Sequence, residues 1–191
     1  FPFKKGDVVL TTVMEHHSNE LPWRGVARVV HIDVLPDGRI DDRDFQSKLN
    51  AHRGTVALVA VSGASNVTGY INPVHQYARW VHEAGAKIFI DAAQLAPHRP
   101  IEMKPPGDPE HIDYLAFSAH KMYAPFGVGV LVGDRATFEQ GDPSLVGGGA
   151  VALADLIEAW FPNQVIAPLP AFANARGMLK YLRYVCDEQP V

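Results

Sequence analysis

Residues 112–129 read IDYLAFSAHKMYAPFGVG. The first part, IDYLAF, is an apolar run of strand length, and the last part carries Pro125 and Gly127, so the chain turns there. One lysine, Lys121, stands at that turn among Ser118, His120 and Tyr123. Just past the carboxyl end of a buried strand, a lysine is poorly placed for an ordinary solvated charge. It is well placed to meet a ligand, because open α/β sheets bind ligands outside those strand ends.

Working outward, the same alternation of strand and helix recurs. Asp7–Val13 (DVVLTTV), Ala27–Ile32 (ARVVHI), Thr55–Val61 (TVALVAV), Lys87–Ile90, Ile112–Phe117 and Val128–Val132 are strand candidates. TVALVAV is continuously apolar, as expected for a strand covered on both faces of a parallel sheet. Asp41–His52 reads as a helix with acidic residues in its first turn and Phe45 and Leu49 four apart. Pro73–Ala84 reads as a second helix, with Asn72 as its cap, Pro73 at the first position and Gly85 as its stop. Pro97–Pro109 is proline-rich loop. After Gly147–Gly149, which read as a linker, the register turns helical from Val151 and more clearly from Ala171 to Cys186. Strands alternating with helices predict an α/β fold with a mainly parallel sheet flanked by helices. Residues 1–150 are expected to form the main unit and 151–191 a C-terminal helical segment.

Bulk properties narrow the function classes. The chain has 191 residues, a net charge of -4 and one cysteine, Cys186. That charge gives no basic field for nucleic acid. A single cysteine excludes an internal disulfide and suits a reducing cytosol. No apolar run approaches the ~20 residues that span a membrane, and no basic-then-apolar leader is visible. The chain opens at Phe1 and enters its first strand almost at once, so a fragment of a longer protein is expected.

Several groups carry chemistry. We read Lys121 as the amine that forms a Schiff base with pyridoxal phosphate. Asp91 ends the strand KIFID, where aspartate often caps the next helix. A carboxylate there also suits a protonated pyridine nitrogen, keeping the ring an electron sink. Gln94 follows about one turn later if a helix begins there. His16 and His17 follow the first strand in EHHSNE, which is neither zinc motif, so metal is set aside. One of that pair is positioned to stack on a planar ring and move protons. Ser118 and His120 suit a phosphate by hydroxyl and imidazole, or simply a tight turn. SGASNVTG, Ser62–Gly69, has the look of a dinucleotide loop. It follows the third strand candidate rather than the first and has Val67 where a third glycine belongs, so Asn66 facing a ring oxygen fits better.

Together, MEHHSNELPWR, SNVTG, IDAAQ, FSAHKMYAPFGVGVL and GGGA resemble the class V aminotransferases, in the same order over roughly residues 6–150. The cysteine desulfurase and selenocysteine lyase branch is the most similar. The resemblance implies the large domain of a fold type I pyridoxal phosphate enzyme, a homodimer and an amino-acid substrate in the cytoplasm. It implies that Lys121 binds the cofactor and moves the α-proton, and that His16 stacks on the ring. Asp91 would pair with the ring nitrogen, Gln94 and Asn66 would lie near its phenolic oxygen, and Ser118 and His120 would hold the phosphate. Family members are about twice this length, and their substrate-carboxylate arginine and catalytic cysteine lie beyond Val191. Cys186 falls in a helical stretch and reads as a small packing residue. Two other readings stay open: a silent or truncated pyridoxal-phosphate-fold binding protein, and a nucleotide-binding oxidoreductase using Gly63–Gly69.

Overall fold

The computed structural model describes residues 2–124 and 127–138, and the backbone of 164–168. Seven strands form one sheet in the order β2-β1-β3-β4-β5-β6-β7. They are β1 (Val8–Thr12), β2 (Arg28–Ile32), β3 (Val56–Ser62), β4 (Lys87–Asp91), β5 (Tyr114–Ser118), β6 (Gly129–Asp134) and β7 (Gln164–Pro168). β2, β1, β3, β4 and β5 run parallel, whereas β6 is antiparallel to β5 and β7 antiparallel to β6. Helix α1 (Asp42–Ala51) links β2 to β3, α2 (Val74–Glu83) links β3 to β4, and the short α3 (Arg135–Phe138) follows β6.

The two-residue period of the strands explains why the central runs are apolar throughout. Val8, Leu10, Val59, Val61, Ile88 and Ile90 point to one face, where Phe45 and Leu49 of α1 and Tyr77, Ala78 and Val81 of α2 cover them. Val9, Leu58, Ala60 and Phe89 point to the other face, against Phe3, Trp23 and Tyr114. The two helices meet through the stacked rings of Phe45 and Tyr77, 4.9 Å between centroids. A fully buried Phe45 contributes about 2–3 kcal/mol by area alone.

Asp41 caps α1 by accepting from the N–H groups of Arg43 and Asp44. Three expectations need correction. Asn72 does not cap α2: its side-chain amide donates to the Ser62 carbonyl at 2.8 Å, and Pro73 occupies the cap position with no side-chain bond. The Asn72 side chain satisfies a buried strand-end carbonyl instead of a helix N–H. No helix starts after Asp91; the segment is a succession of turns with an Ala96 N–H to Ala92 carbonyl bond of 2.8 Å. Gln164–Pro168, within the stretch read as helical, is a strand beside β6. Gly147–Gly149, the helical piece from Val151 and Ala171–Cys186 lie outside the described residues.

Candidate active site

Because β1, β3, β4 and β5 are parallel, their carboxyl ends share one edge of the sheet. Each delivers a chemically competent residue there within a few positions: His16 after β1, Asn66 after β3, Asp91 and Gln94 at and after β4, and Ser118, His120 and Lys121 at and after β5. Asp91 is the best anchored. It is the register partner of Ser62 on one side and Ala116 on the other, so its backbone is held by two neighbouring strands.

Its half-buried carboxylate accepts from the Ala93 N–H at 2.9 Å through Oδ1. That is the local turn bond typical of aspartate. Oδ2 makes no hydrogen bond among the described residues, so the local role leaves one oxygen available. Gly63 stands beside this strand end for steric reasons: a Cβ on it would lie 2.8 Å from Leu95 Cδ2. The glycine therefore lets the segment after Asp91 fold tightly onto β3, and Gln94 sits half-buried on that segment.

Lys121 lies on a 3-10 turn, Ala119–Met122, that follows β5 directly. The turn is closed by Tyr123 in the left-handed region (φ 63°), an uncommon conformation for a side chain other than glycine, asparagine or aspartate. Ser118 stands at the cap position, its hydroxyl making no capping bond. The reversal is pinned by Ser118 pairing with Gly129 and by the Ala119 N–H donating to the Val128 carbonyl at 2.9 Å. Lys121 is exposed, and its ammonium makes no ion pair with any described carboxylate. Ser118 and His120 are half-buried beside it.

His16 caps the 3-10 turn His17–Asn19 through its ring. Nδ1 accepts from the Ser18 N–H at 3.2 Å and lies 2.7 Å from the Ser18 hydroxyl. A backbone N–H only donates, so the ring proton of the neutral imidazole belongs on Nε2, which faces away from the cap. His16 and His17 are not stacked on each other; their rings tilt by 47° at 6.3 Å. Asn66 is exposed in a loop that folds back on itself: Ala64 bridges Ile71, and the Ser65 hydroxyl accepts from Val67 and Thr68 N–H. The loop does not open a helix on its last glycine, as a dinucleotide loop does.

The sequence reading passed over Glu15. Its carboxylate accepts four hydrogen bonds: Oε1 from the Thr12 hydroxyl and the Ser62 N–H, and Oε2 from the Asn19 amide and the Ser62 hydroxyl. Burial pushes its carboxyl above the ordinary value, while these donors pull the other way. The Thr-x-x-Glu spacing of Thr12 and Glu15 was the available signal, hidden beside the more conspicuous histidines.

The family profile described as Aminotransferase class-V matches residues 1–189. The chain belongs to the class V aminotransferase family. Among its relatives, a probable cysteine desulfurase of Halalkalibacterium halodurans is 36% identical over 91% of this chain and 43% of that protein. A cysteine desulfurase of Haloferax volcanii is 33% identical over 95% of the chain and 43% of the relative. This class V aminotransferase chain thus spans under half the length of these relatives. Among solved structures, the apo cysteine desulfurase of Thermococcus onnurineus superposes with a TM-score of 0.70 at 31% identity, covering 97% of this chain and 46% of that one. The Escherichia coli cysteine desulfurase in its S-sulfonic acid form gives 0.71 at 28%, covering 98% and 47%. The family is pyridoxal phosphate-dependent, and the mostly parallel sheet flanked by helices is its fold type I architecture.

At the opposite edge of the sheet, the class V aminotransferase carries a second charged cluster. Asp113 accepts from Lys87 Nζ at 2.6 Å and the Ile88 N–H at 2.9 Å, and lies 2.7 Å from His82 Nε2. Burial alone would raise its carboxyl, but Lys87, His82 and the Ile88 N–H hold it below the ordinary value. No described helix is long and apolar enough to cross a membrane. No cluster of metal-ligating side chains exists among the described residues.

Proposed function

We propose that the intact protein is a pyridoxal phosphate enzyme acting at the α-carbon of an amino acid, in the manner of a cysteine desulfurase. The observation that carries this reading is the shared sheet edge, with a lysine after β5 that has no ion pair among the described residues and a register-locked aspartate at the end of the neighbouring β4. The donor set fits the cofactor: one amine, one carboxylate with an uncommitted oxygen, a hydroxyl and imidazole beside each other, and a ring presenting N–H. When bound, pyridoxal phosphate supplies an electron-withdrawing ring that stabilises negative charge at the α-carbon.

The chain's own residues then divide the work. Lys121 provides the amine for covalent attachment, and its Nζ subsequently takes the substrate α-proton. Asp91, through Oδ2, holds the proton of the ring nitrogen. Ser118 and His120 donate to the phosphate. His16 lays its imidazole on the ring and offers Nε2–H, while Gln94 and Asn66 serve the phenolic oxygen. A homodimer in the cytosol is part of the same proposal. Exposed Val13, Leu21 and Val67 are available to such an interface.

The test is a visible absorbance spectrum after adding pyridoxal phosphate, then borohydride reduction and peptide mapping. A yellow protein with the label fixed on Lys121 supports the reading. A colourless intact protein, with no modified lysine, refutes it and favours a binding protein without turnover.

A further inference from the structure

Glu15 is half-buried and touches three separate pieces of the chain. Thr12 is the last residue of β1, Asn19 ends the 3-10 turn that His16 caps, and Ser62 is the last residue of β3. Ser62 contributes both its N–H, at 3.0 Å, and its hydroxyl, at 2.6 Å. It is also the register partner of Asp91. A single carboxylate therefore links the loop bearing His16 to the strand end alongside Asp91. The link spans 47 residues of sequence, and the loop after β1 makes no other described side-chain hydrogen bond to β3.

We propose, resting on the cofactor reading above, that Glu15 is a positioning residue: its four-bonded carboxylate fixes where His16 stands relative to Asp91, and so sets the gap that receives the cofactor ring. The carboxylate is the suitable group because all four of its partners donate. Shortening it by one methylene would break the reach to Ser62 or to Asn19. Replacing it with an amide is tolerable. The amide oxygen keeps Thr12 and the Ser62 N–H, while the amide N–H groups meet the Ser62 hydroxyl and the Asn19 Oδ1, once Asn19 flips. Asn19 Oδ1 is buried with no partner among the described residues, so the flip carries the Asn19 amide N–H groups into a position with no described acceptor, and the amide is expected to lose about one hydrogen bond.

The test compares Glu15→Gln, Glu15→Asp and Glu15→Ala in the intact protein, with two readouts. The first is amide hydrogen exchange over residues 12–20 and at Ser62 without pyridoxal phosphate. The second is the affinity for added pyridoxal phosphate and the visible circular dichroism it acquires. Glu15→Asp and Glu15→Ala are expected to exchange at least about tenfold faster, and to bind about tenfold more weakly with diminished dichroism, the loss expected of one or two hydrogen bonds. Glu15→Gln is expected to lie between the parent and those two variants, at about threefold to fivefold on both, the loss of roughly one hydrogen bond. Unchanged exchange in Asp and Ala variants overturns the proposal. So does faster exchange with parental affinity and dichroism, the pattern of a residue that only stabilises the fold. If exchange responds as expected but the parent itself acquires no dichroism, the cofactor reading falls and the positioning role falls with it. Should Glu15→Ala not fold, Ser62→Ala removes the hydroxyl donor to Oε2, the one hydrogen bond described for that hydroxyl. It is expected to produce the same two changes at about threefold; none would overturn the proposal.

Discussion

Asp113→Ala is expected to destabilise the protein while leaving its chemistry in place. Asp113 is only 4% exposed and binds three groups from two other elements. Removing it strands the Ile88 N–H, a buried backbone donor at the start of β4, at a cost of about 1–3 kcal/mol. The Lys87 side chain is 51% exposed, so its ammonium returns to water and its lost pairing adds no more than about 1 kcal/mol. His82, at 22% exposure, keeps its Nδ1 contact with the Pro109 carbonyl. The sum is about 1–4 kcal/mol. Asp113→Asn keeps an acceptor for Ile88 and is expected to cost about half as much. Urea unfolding of the intact protein measures both.

The same carboxylate gives a pH signature. Its folded-state pKa lies below the ordinary value of 3.8, so the unfolded chain takes up the proton first. Its stabilisation is therefore complete above 3.8 and is lost as pH falls through the folded-state value. Asp113→Asn is expected to flatten that acid limb. Asp113 precedes β5 and Ser118 ends it, a separation of roughly 17 Å at strand rise. Cofactor dichroism of the folded variants is thus expected to match the parent. A cost of Asp113→Ala under about 0.5 kcal/mol, or an unaltered acid limb, would refute the assignment of this cluster as a clamp on the β4–β5 pair.

Asp91→Asn is expected to retain borohydride fixation at Lys121 but lose turnover by about a hundredfold, as when one preorganised charge is removed from a site; rapid-mixing kinetics would measure it. His16→Ala is expected to weaken cofactor binding about tenfold through lost stacking. Because His16 is exposed, the thermal midpoint should fall by no more than the loss of its cap on the turn His17–Asn19 explains, about 0.5–1 kcal/mol. Gly63→Ala forces a Cβ to 2.8 Å from Leu95 Cδ2 and 3.3 Å from Ile90 Cγ2, at a cost of about 1–3 kcal/mol. Pairing it with Leu95→Ala should recover more than about 0.5 kcal/mol of that in a double-mutant cycle.

Much of this was legible because the central strands announce themselves. Runs such as TVALVAV are apolar at both parities, and only a sheet covered on two faces makes use of that. Lys121 and Asp91 stood out because each ends such a run. What escaped was set by tertiary competition. Asn72 looks like a cap from its neighbours, but a carbonyl ten residues upstream claims its amide. Asp91 is followed by turns because Leu95 folds back over Gly63, a contact between residues 32 apart in sequence that no local pattern reports. Glu15 was hidden because its decisive partner, Ser62, belongs to another strand.

The antiparallel turn after β5 has a consequence for the lysine. A crossover helix would have carried the chain away from the sheet edge. Here the chain reverses, and the Ser118–Gly129 pair staples both feet of the excursion to neighbouring strands. Lys121 therefore behaves as an amine on a short leash, whose tip moves while its root does not. Its effective concentration at the sheet edge far exceeds that of any dissolved amine. On the proposed chemistry, free amino acids and buffer amines would compete against that local excess for the carbonyl Lys121 holds. By the same chemistry, a product amine would be displaced by Lys121 itself.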